Sequence, residues 1–399
     1  MDNPVLSFFI ILSAAVMAPI VADLIPKVKI PVVVLEIAFG VIIGPQILGW
    51  AEVNSTVYVL GQLGLAFLFF LAGYEIDFNR IKGKPLKLAI TSWLVGLLGA
   101  FLIAIVLHLS GIVTSSFLYV GLAIATTALG ALLPMLGDAG ELETEFGTHT
   151  LAYGAIGEFG PIVMIALLLN VERSGLSSAI ILNIFILLLL VGIYLVRRWR
   201  PPRLTRLLSH TMHSSAQLAL RLTLLIMVGF IILAAVLKLD FLLGAFAAGI
   251  IVAQYVRGTP NINQRNIEAL HAKYEGLGYG FLIPIFFIAS GINFDLHALM
   301  QSRTNLILLP VFLILFFVVR GLPALWFYRE QLPSFDRLAL GFFGSTQLPL
   351  VIAITELGVE SSRMTPVLAT TLVGAAMLSV FLYPLLGFTM RRKSVLSNL

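Results

Sequence analysis

The ten residues ATTALGALLP (125–134) lie in the middle of an apolar run that extends over residues 115–137. A run of that length is enough to cross a bilayer as an α-helix. Thr126, Thr127 and Gly130, however, are poor helix formers. We therefore predict that this membrane-crossing segment is interrupted near its middle, where its freed backbone groups need polar partners inside the protein.

The composition of the whole chain agrees with a membrane environment. Of the 399 residues, 59% are hydrophobic and 11% are charged, whereas about a quarter of the residues of a soluble globular chain are charged. Because each span needs about 20 residues, the chain has room for about a dozen spans and for no large domain outside the membrane. The chain contains no cysteine, which excludes disulfides, thiolate metal sites and thiol nucleophiles.

Apolar runs bounded by Gly, Pro and charged residues predict thirteen helices in an all-α, polytopic membrane protein. Their predicted ranges are 3–25, 30–49, 56–76, 85–110, 115–137, 146–171, 176–197, 216–238, 241–256, 276–294, 304–328, 337–358 and 364–390.

The distribution of basic residues predicts the orientation of these helices. Most Lys and Arg residues fall in alternate loops, and the intervening loops hold only Arg173, Lys238, Arg303 and Arg363. Because basic loops stay on the cytoplasmic side, we expect the N-terminus outside, the C-terminus inside and an odd number of spans.

Several short segments recur along the chain. AFGVIIG (38–44) is similar to AAGIIVA (247–253), and FFLAG (69–73) is similar to FFIAS (286–290). The interrupted segment ATTALGALLP has a weaker counterpart in GSTQLPLV (344–351), and all three offsets are roughly 210–220 residues. Spans 2–6 therefore correspond to spans 9–13, which predicts two five-helix repeats. The displacement of seven helices inverts one repeat relative to the other, as in many secondary transporters.

The paired interruptions predict an ion site where the two repeats meet. Thr126 and Thr127 in span 5 match Ser345 and Thr346 in span 12. Broken helices at matching places in two repeats bring carbonyls and helix ends together in a cavity, so these four residues are candidate ion ligands. The alternative is that small residues merely allow close helix packing.

Glu158 stands alone in AIGEFGPIV (155–163), about halfway along span 6. A charge at that depth costs at least a few kcal/mol. One interpretation is a protonated Glu that is hydrogen-bonded to a neighbouring helix. The other is an exchange site, because removal from water favours the neutral acid and intermittent contact with water would let a cation replace the proton.

Three further charged or titratable residues lie in predicted spans. Arg320 in span 11 is expected to neutralise helix ends at the crossing or to pair with Glu158 when no cation is bound, unless it reaches an interface. Glu36 is expected to line an inner vestibule that attracts cations; the alternatives are that it is solvated at the interface or makes a helix–helix hydrogen bond. His149 tunes activity with pH or is an ordinary histidine at a loop edge.

The order and spacing of five segments resemble the monovalent cation:proton antiporters, in particular their second branch, over nearly the whole chain. These segments are PVVVLEIAFGVIIGP (31–45), LGLAFLFFLAGYEID (63–77), IATTALGALLPML (124–136), AIGEFGPIV (155–163) and GFFGSTQLPLVIAI (341–354).

The resemblance implies one transporter unit over residues 1–399 that forms a homodimer in the membrane lipid. Residues 1–76 and 216–294 would form the dimerisation scaffold, and residues 85–171 and 304–390 would form a core that moves like an elevator. Residues 176–197 would link the two. It also implies a multi-pass protein of a prokaryotic cell membrane that contributes to pH homeostasis.

The chain departs from the family pattern at the ion site. The family has Asp-Asp, Asn-Asp or Gln-Asp where this chain has Gly157-Glu158, and the family's basic residue falls on Arg320. One carboxylate remains beside an Arg that cannot release a proton, so we expect electroneutral exchange of one proton per Na⁺ or K⁺. Within these 399 residues, which end at MRRKSVLSNL, we expect no nucleotide-binding regulatory domain of the kind found in the potassium efflux systems.

Other classes of function are less consistent with the sequence. A sodium-coupled carrier of organic anions, with Arg320 binding the substrate, is the main alternative. The sequence has no HExxH zinc signature and no second midplane acid facing Glu158, so we expect no enzyme activity. We also expect no cofactor, no nucleic-acid partner, and no metal other than the transported cation at Glu158.

Overall fold

The computed structural model describes residues 4–24, 31–76, 78–174, 176–198, 217–237, 239–258, 264–301 and 303–397. Within these ranges the regular structure is entirely helical, and none of the residues described there forms a strand.

We number the helices in chain order. They are α1 (Pro4–Leu24), α2 (Val32–Ile43), α3 (Ser55–Glu75), α4 (Phe78–Ile81), α5 (Lys84–Leu109), α6 (Phe117–Ile124), α7 (Leu129–Asp138), α8 (Glu145–Ser174), α9 (Leu176–Arg198), α10 (Leu218–Val236), α11 (Phe241–Gly258), α12 (Gln264–Leu277), α13 (Ile283–Ile292), α14 (Leu296–Gln301), α15 (Arg303–Phe316), α16 (Leu322–Phe327), α17 (Ser334–Gly344), α18 (Pro349–Glu360) and α19 (Pro366–Ser397). Two π-helical turns, Gly278–Leu282 and Phe317–Gly321, join α12 to α13 and α15 to α16.

Both predicted interruptions are present. Residues 125–128 separate α6 from α7, and residues 345–348 separate α17 from α18. Pro349 begins α18, where its missing N–H costs no helical hydrogen bond. Each interruption therefore divides one predicted span into two half-helices of 8 to 12 residues.

Three predicted boundaries were wrong, and two short helices lie in predicted loops. The last helix, α19, ends at Ser397 and not near residue 390. Helix α2 ends at Ile43 and not near residue 49, because Gly44 is extended ahead of Pro45. The tenth predicted span begins at Gln264 and not at residue 276, because a polar helical segment, α12, precedes its apolar part. The short helices α4 and α14 were not predicted.

The helices differ in how far they are covered by the rest of the protein. Among the described residues, nine helical stretches are long and apolar enough to cross a membrane. In α1 and in α10, only 22% of the apolar 18-residue segment is buried inside the protein. The corresponding share is 89% in the stretch Ser334–Glu360, which contains the second interruption. Large apolar side chains such as Leu98 and Leu102 are exposed. This pattern is that of a multi-pass membrane protein, with lipid-facing helices and an enclosed interrupted helix.

The chain forms two compact units. The first contains Met1–Thr56, Asp77–Pro161 and Phe287–Leu399, and thus both interruptions. Within it, α2 and α13 cross backbone to backbone at two glycines. A Cβ at Gly40 would lie 2.2 Å from the Ile288 carbonyl oxygen, and a Cβ at Gly291 would lie 2.2 Å from that of Ile37.

The second unit contains Val57–Ile76 and Ile162–Phe286. It has a helix crossing of the same kind, between α3 and α11. A Cβ at Gly73 would lie 2.2 Å from the Phe246 carbonyl oxygen, and a Cβ at Gly249 would lie 2.1 Å from that of Phe70. Only glycine permits such close helix packing.

Candidate functional site

The two interruptions contact each other through their backbones. The Ala128 N–H donates to the Thr346 carbonyl oxygen at 2.7 Å. The Thr127 hydroxyl donates to the Gly344 carbonyl oxygen, at the end of α17, at 2.5 Å. The Thr127 N–H donates to the Gly157 carbonyl oxygen of α8 at 2.9 Å. The backbone groups freed by the two breaks are thus paired with protein partners, as a low-dielectric interior requires.

The side chain of Gln347 joins the two interruptions. It is completely buried, its amide nitrogen donates to the Ile124 carbonyl oxygen at the end of α6, and its amide oxygen accepts from the Thr126 hydroxyl, both at 3.1 Å. Its backbone N–H and carbonyl both bond to the Ser379 hydroxyl at 2.9 Å. A neutral amide therefore caps the α6 end, where the unpaired carbonyls carry partial negative charge.

Glu158 lies where the half-helix α7 begins. Its side chain is almost entirely buried, and the backbone N–H groups of Leu129 and Gly130 donate to its carboxyl group. These are the first two residues of α7. The positive end of a helix dipole and two free N–H groups favour a negative charge at this position. The position therefore suits a carboxyl group.

Arg320 is fully buried beside the same crossing. Its Nε donates to the Thr127 hydroxyl at 3.0 Å and its Nη2 donates to the Tyr153 carbonyl oxygen at 3.2 Å. The guanidinium stacks on the Tyr153 ring at 4.3 Å from the centroid. Among the described residues it forms no ion pair with Glu158. The Arg320 guanidinium is therefore buried and hydrogen-bonded to the first interruption. In the part of the chain that the structure describes, it has no carboxylate partner.

Glycines make room for these side chains. A Cβ at Gly157 would lie 2.4 Å from both the Arg320 Nη2 and the Thr127 Oγ1, and a Cβ at Gly160 would lie 2.5 Å from the Trp93 ring. The Arg320 guanidinium therefore occupies the space that a side chain at position 157 would need.

The remaining predicted site residues differ in their placement. Ser345 and Thr346 are buried at the crossing, and their hydroxyls donate to carbonyls of their own helix, those of Gly341 and Phe342. Their oxygen lone pairs remain available to a ligand. Glu36 lies on α2 and has no hydrogen bond to the crossing among the described residues. His149 is buried on α8 beside the Tyr328 ring.

Three residues of the crossing were missed in the sequence. Gln347 stands in a segment that is otherwise small or apolar, and an amide there is costly enough to have drawn attention. Tyr153 and Trp93, whose Nε1 donates to the Ala125 carbonyl oxygen at 3.2 Å, give no such signal, because aromatic residues are common in membrane helices.

A multi-pass membrane protein with a buried carboxyl and a buried guanidinium at a crossing of interrupted helices has the features of a secondary ion transporter. Among the described residues, no group of three or more His, Asp or Glu side chains could hold a resident metal ion.

Comparisons with known proteins agree with this class. Residues 11–391 match the model of the transmembrane sodium/hydrogen exchanger family, and the chain belongs to that family. It is 28% identical to the Bacillus subtilis protein YjbQ. The alignment covers 94% of this chain but only 60% of that relative. It is 25% identical to the Na⁺/H⁺ antiporter of Enterococcus hirae, with 90% of this chain and 91% of the relative aligned.

The fold has also been seen in a solved structure. The sodium proton antiporter MjNhaP1 of Methanocaldococcus jannaschii superposes with a TM-score of 0.65 at 17% identity, and the match covers 96% of this chain and 98% of that one.

Proposed function

We propose that this protein exchanges a monovalent cation, Na⁺ or K⁺, for protons, and that Glu158 carries either one in turn. The observation that carries the proposal is the position of this buried carboxyl at the first turn of α7, where two backbone N–H groups hold it. A carboxylate oxygen is the hard ligand that an alkali cation prefers. The hydroxyl oxygens of Thr126, Thr127, Ser345 and Thr346 would complete the cation's coordination.

We further propose that one proton is exchanged per cation. Gly157 contributes no side chain beside Glu158, and the Arg320 guanidinium fills the adjacent space. Because an Arg keeps its proton in a protein, Arg320 cannot supply a second exchangeable proton. A single carboxyl that alternates between H⁺ and a monovalent cation has the same charge in both loaded states, so the exchange would be electroneutral.

Two inverted five-helix repeats would provide alternating access. The glycine crossings support this arrangement, since Gly40 and Gly249 occupy the same place in the recurring segments AFGVIIG and AAGIIVA. Each packs against a carbonyl of a partner helix in its own unit. The paired interruptions, with α7 and α18 beginning where α6 and α17 end, support it as well.

The rest of the transport cycle follows the family resemblance. We propose thirteen spans, an outside N-terminus and a homodimer, with a scaffold of residues 1–76 and 216–294. The core of residues 85–171 and 304–390 would move against that scaffold like an elevator, and residues 176–197 would link the two.

The proposal is tested in proteoliposomes that contain a pH-sensitive dye and are challenged with Na⁺, K⁺ or a bulky organic cation. Wild type should move protons in response to Na⁺ or K⁺ only. Glu158→Gln should abolish this response, because an amide has no proton to exchange near neutral pH and no negative charge to balance a cation.

Glu36→Gln is the matched control, since Glu36 and Glu158 are both 5% exposed and only Glu158 lies at the crossing. The control should retain most of the response. Loss of exchange in both variants, or in neither, would contradict the assignment to Glu158. A cation-evoked current that reverses with membrane potential would contradict electroneutrality alone.

A further inference from the structure

A cluster of three charges lies at the ends of the half-helices that point away from the crossing. Arg391, near the end of α19, donates from Nε to Glu141 at 2.9 Å and from Nη1 to both carboxylate oxygens of Asp336 at 2.9 Å. The side chains of Arg391, Glu141 and Asp336 are 16%, 14% and 6% exposed. The three groups thus form a mostly buried network and not a solvated surface pair.

The two carboxylates belong to the two half-helices that reach the candidate site. Glu141 lies three residues beyond the end of α7, and its N–H donates to the Leu136 carbonyl oxygen of that helix at 2.9 Å. Asp336 lies in the first turn of α17. The opposite ends of these helices hold Leu129, which binds Glu158, and Gly344, which binds Thr127. Helices of 10 and 11 residues are about 15 Å long.

A second contact path leads from Arg391 to the crossing. The guanidinium lies over the Phe146 ring at 4.6 Å from the centroid, and the Phe146 and Phe343 rings pack at 6.1 Å. Phe343 directly precedes Gly344. The position of α17 is therefore coupled to Arg391 through packing as well as through charge.

The geometry points to Arg391 as a positioning residue for cation binding. One guanidinium sets the spacing of α7 and α17 at their far ends, so that the groups at their near ends keep the arrangement that binds the ion. Arg391 contacts neither Glu158 nor any other predicted ion ligand. This inference rests on the proposed function, because it assigns Arg391 to the affinity of the same site.

Removing Arg391 would leave two carboxylates in a mostly buried position with no cation between them, which is strongly unfavourable. The far ends of α7 and α17 would then separate. A lysine could not replace the arginine, because a single ammonium group lacks the planar fork that binds two carboxylates at once.

The test compares Arg391→Gln, Arg391→Lys and Asp336→Asn with wild type in two assays. The first is the Na⁺ dependence of exchange, and the second is the Na⁺ concentration needed to raise the melting temperature of the detergent-solubilised protein. Loss of the network should raise the half-saturating Na⁺ concentration about tenfold in both assays, with a maximum rate within about twofold of wild type.

The matched control is Arg80→Gln. Arg80 of α4 pairs at 3.3 Å with Glu143 of the loop that also holds Glu141, and it donates to the Leu142 carbonyl oxygen. The Glu143 side chain is 88% exposed, so the ion pair contributes little and its loss leaves no buried charge without a partner. The half-saturating Na⁺ concentration of this control should change less than about twofold. The double variant Asp336→Asn with Arg391→Gln should be no worse than Arg391→Gln alone, because both changes break one network.

A merely structural role would lower the melting temperature and the maximum rate but leave the half-saturating Na⁺ concentration unchanged, and that result would overturn the inference. Additive effects in the double variant would also overturn it. If wild type showed no cation-evoked proton movement, the proposed function would fail instead. Amide hydrogen exchange at Leu129 and Gly130 would then still test the inference, because Arg391→Gln should accelerate it and Arg80→Gln should not.

Discussion

The two interruptions match in sequence but differ in what surrounds them. The first, at residues 125–128, is joined to both charged groups that are buried at the crossing, since Thr127 binds Arg320 and the α7 N–H groups that follow it bind Glu158. The second, at residues 345–348, is held by neutral groups, chiefly the Gln347 amide and the Ser379 hydroxyl. The sequence match between the two interruptions therefore does not extend to the chemistry of their surroundings. The first interruption is bound to the charged groups, and the second is bound to the first by neutral groups.

The largest effect on exchange is expected from a substitution at Gly157, beside the first interruption. An Ala there would place a Cβ 2.4 Å from Arg320 and Thr127, and overpacking of that kind costs about 1–3 kcal/mol. We expect Gly157→Ala to reduce the exchange rate about thirtyfold by displacing Arg320. The matched control is Gly99→Ala, because a Cβ at Gly99 meets no atom within 4 Å. If both variants exchanged at the wild-type rate, Arg320 would not need its present position.

The next largest effect is expected at Thr127. Thr127→Val keeps the shape of the side chain but removes the acceptor for Arg320 and the donor to the Gly344 carbonyl. A buried polar group without a partner costs about 1–3 kcal/mol, and a charged one costs more. We therefore expect a lower melting temperature and an exchange rate that is about tenfold lower. Thr127→Ser, which keeps the hydroxyl, should restore most of the loss.

Gln347 tests the supporting role of the second interruption. Gln347→Leu leaves the Ile124 carbonyl without its donor and the Thr126 hydroxyl without one acceptor. Because no charged group loses a partner, the effect should be milder than at Thr127, with an exchange rate about fivefold lower. A loss larger than that of Thr127→Val would show that the neutral interruption carries more of the function than we assign to it.

The smallest effect is expected at Ser345, whose hydroxyl donates to its own helix. Ser345→Ala should raise the half-saturating cation concentration only about twofold, which is the loss of one weak ligand. Thr355→Val is the control, because the Thr355 hydroxyl also bonds to its own helix, to the Ile352 carbonyl at 2.9 Å. Equal responses of the two variants would remove Ser345 from the ion site.

Sequence reasoning found the features that are costly in a membrane. Glu158, Arg320 and the helix-poor residues of both interruptions stand out because a charge or a helix break at such depth needs a reason. The contacts between these groups could not be read in the same way. The sequence left three environments possible for Arg320. In the structure its guanidinium occupies the space beside Gly157 and donates hydrogen bonds to Thr127 and Tyr153.

Boundaries and supporting residues were harder to predict. The early end of α2 depends on the backbone of Gly44 before a proline, and the polar helix α12 has no apolar run to reveal it. Arg391 resembles any basic residue at the end of a membrane helix. Only the fold brings Glu141 and Asp336, which are 195 residues apart in the chain, to the same guanidinium.

The central claim is that a proton and a cation compete for Glu158, and the pH dependence of cation affinity tests it most directly. Under acidic conditions, where the free carboxyl is protonated, each unit of decrease in pH should raise the half-saturating Na⁺ concentration about tenfold, because one proton must leave for each cation bound. Glu158→Asp should retain this slope, and Glu158→Gln should show no saturable exchange at any pH. A half-saturating concentration that is independent of pH in wild type, or saturable exchange in Glu158→Gln, would contradict the account.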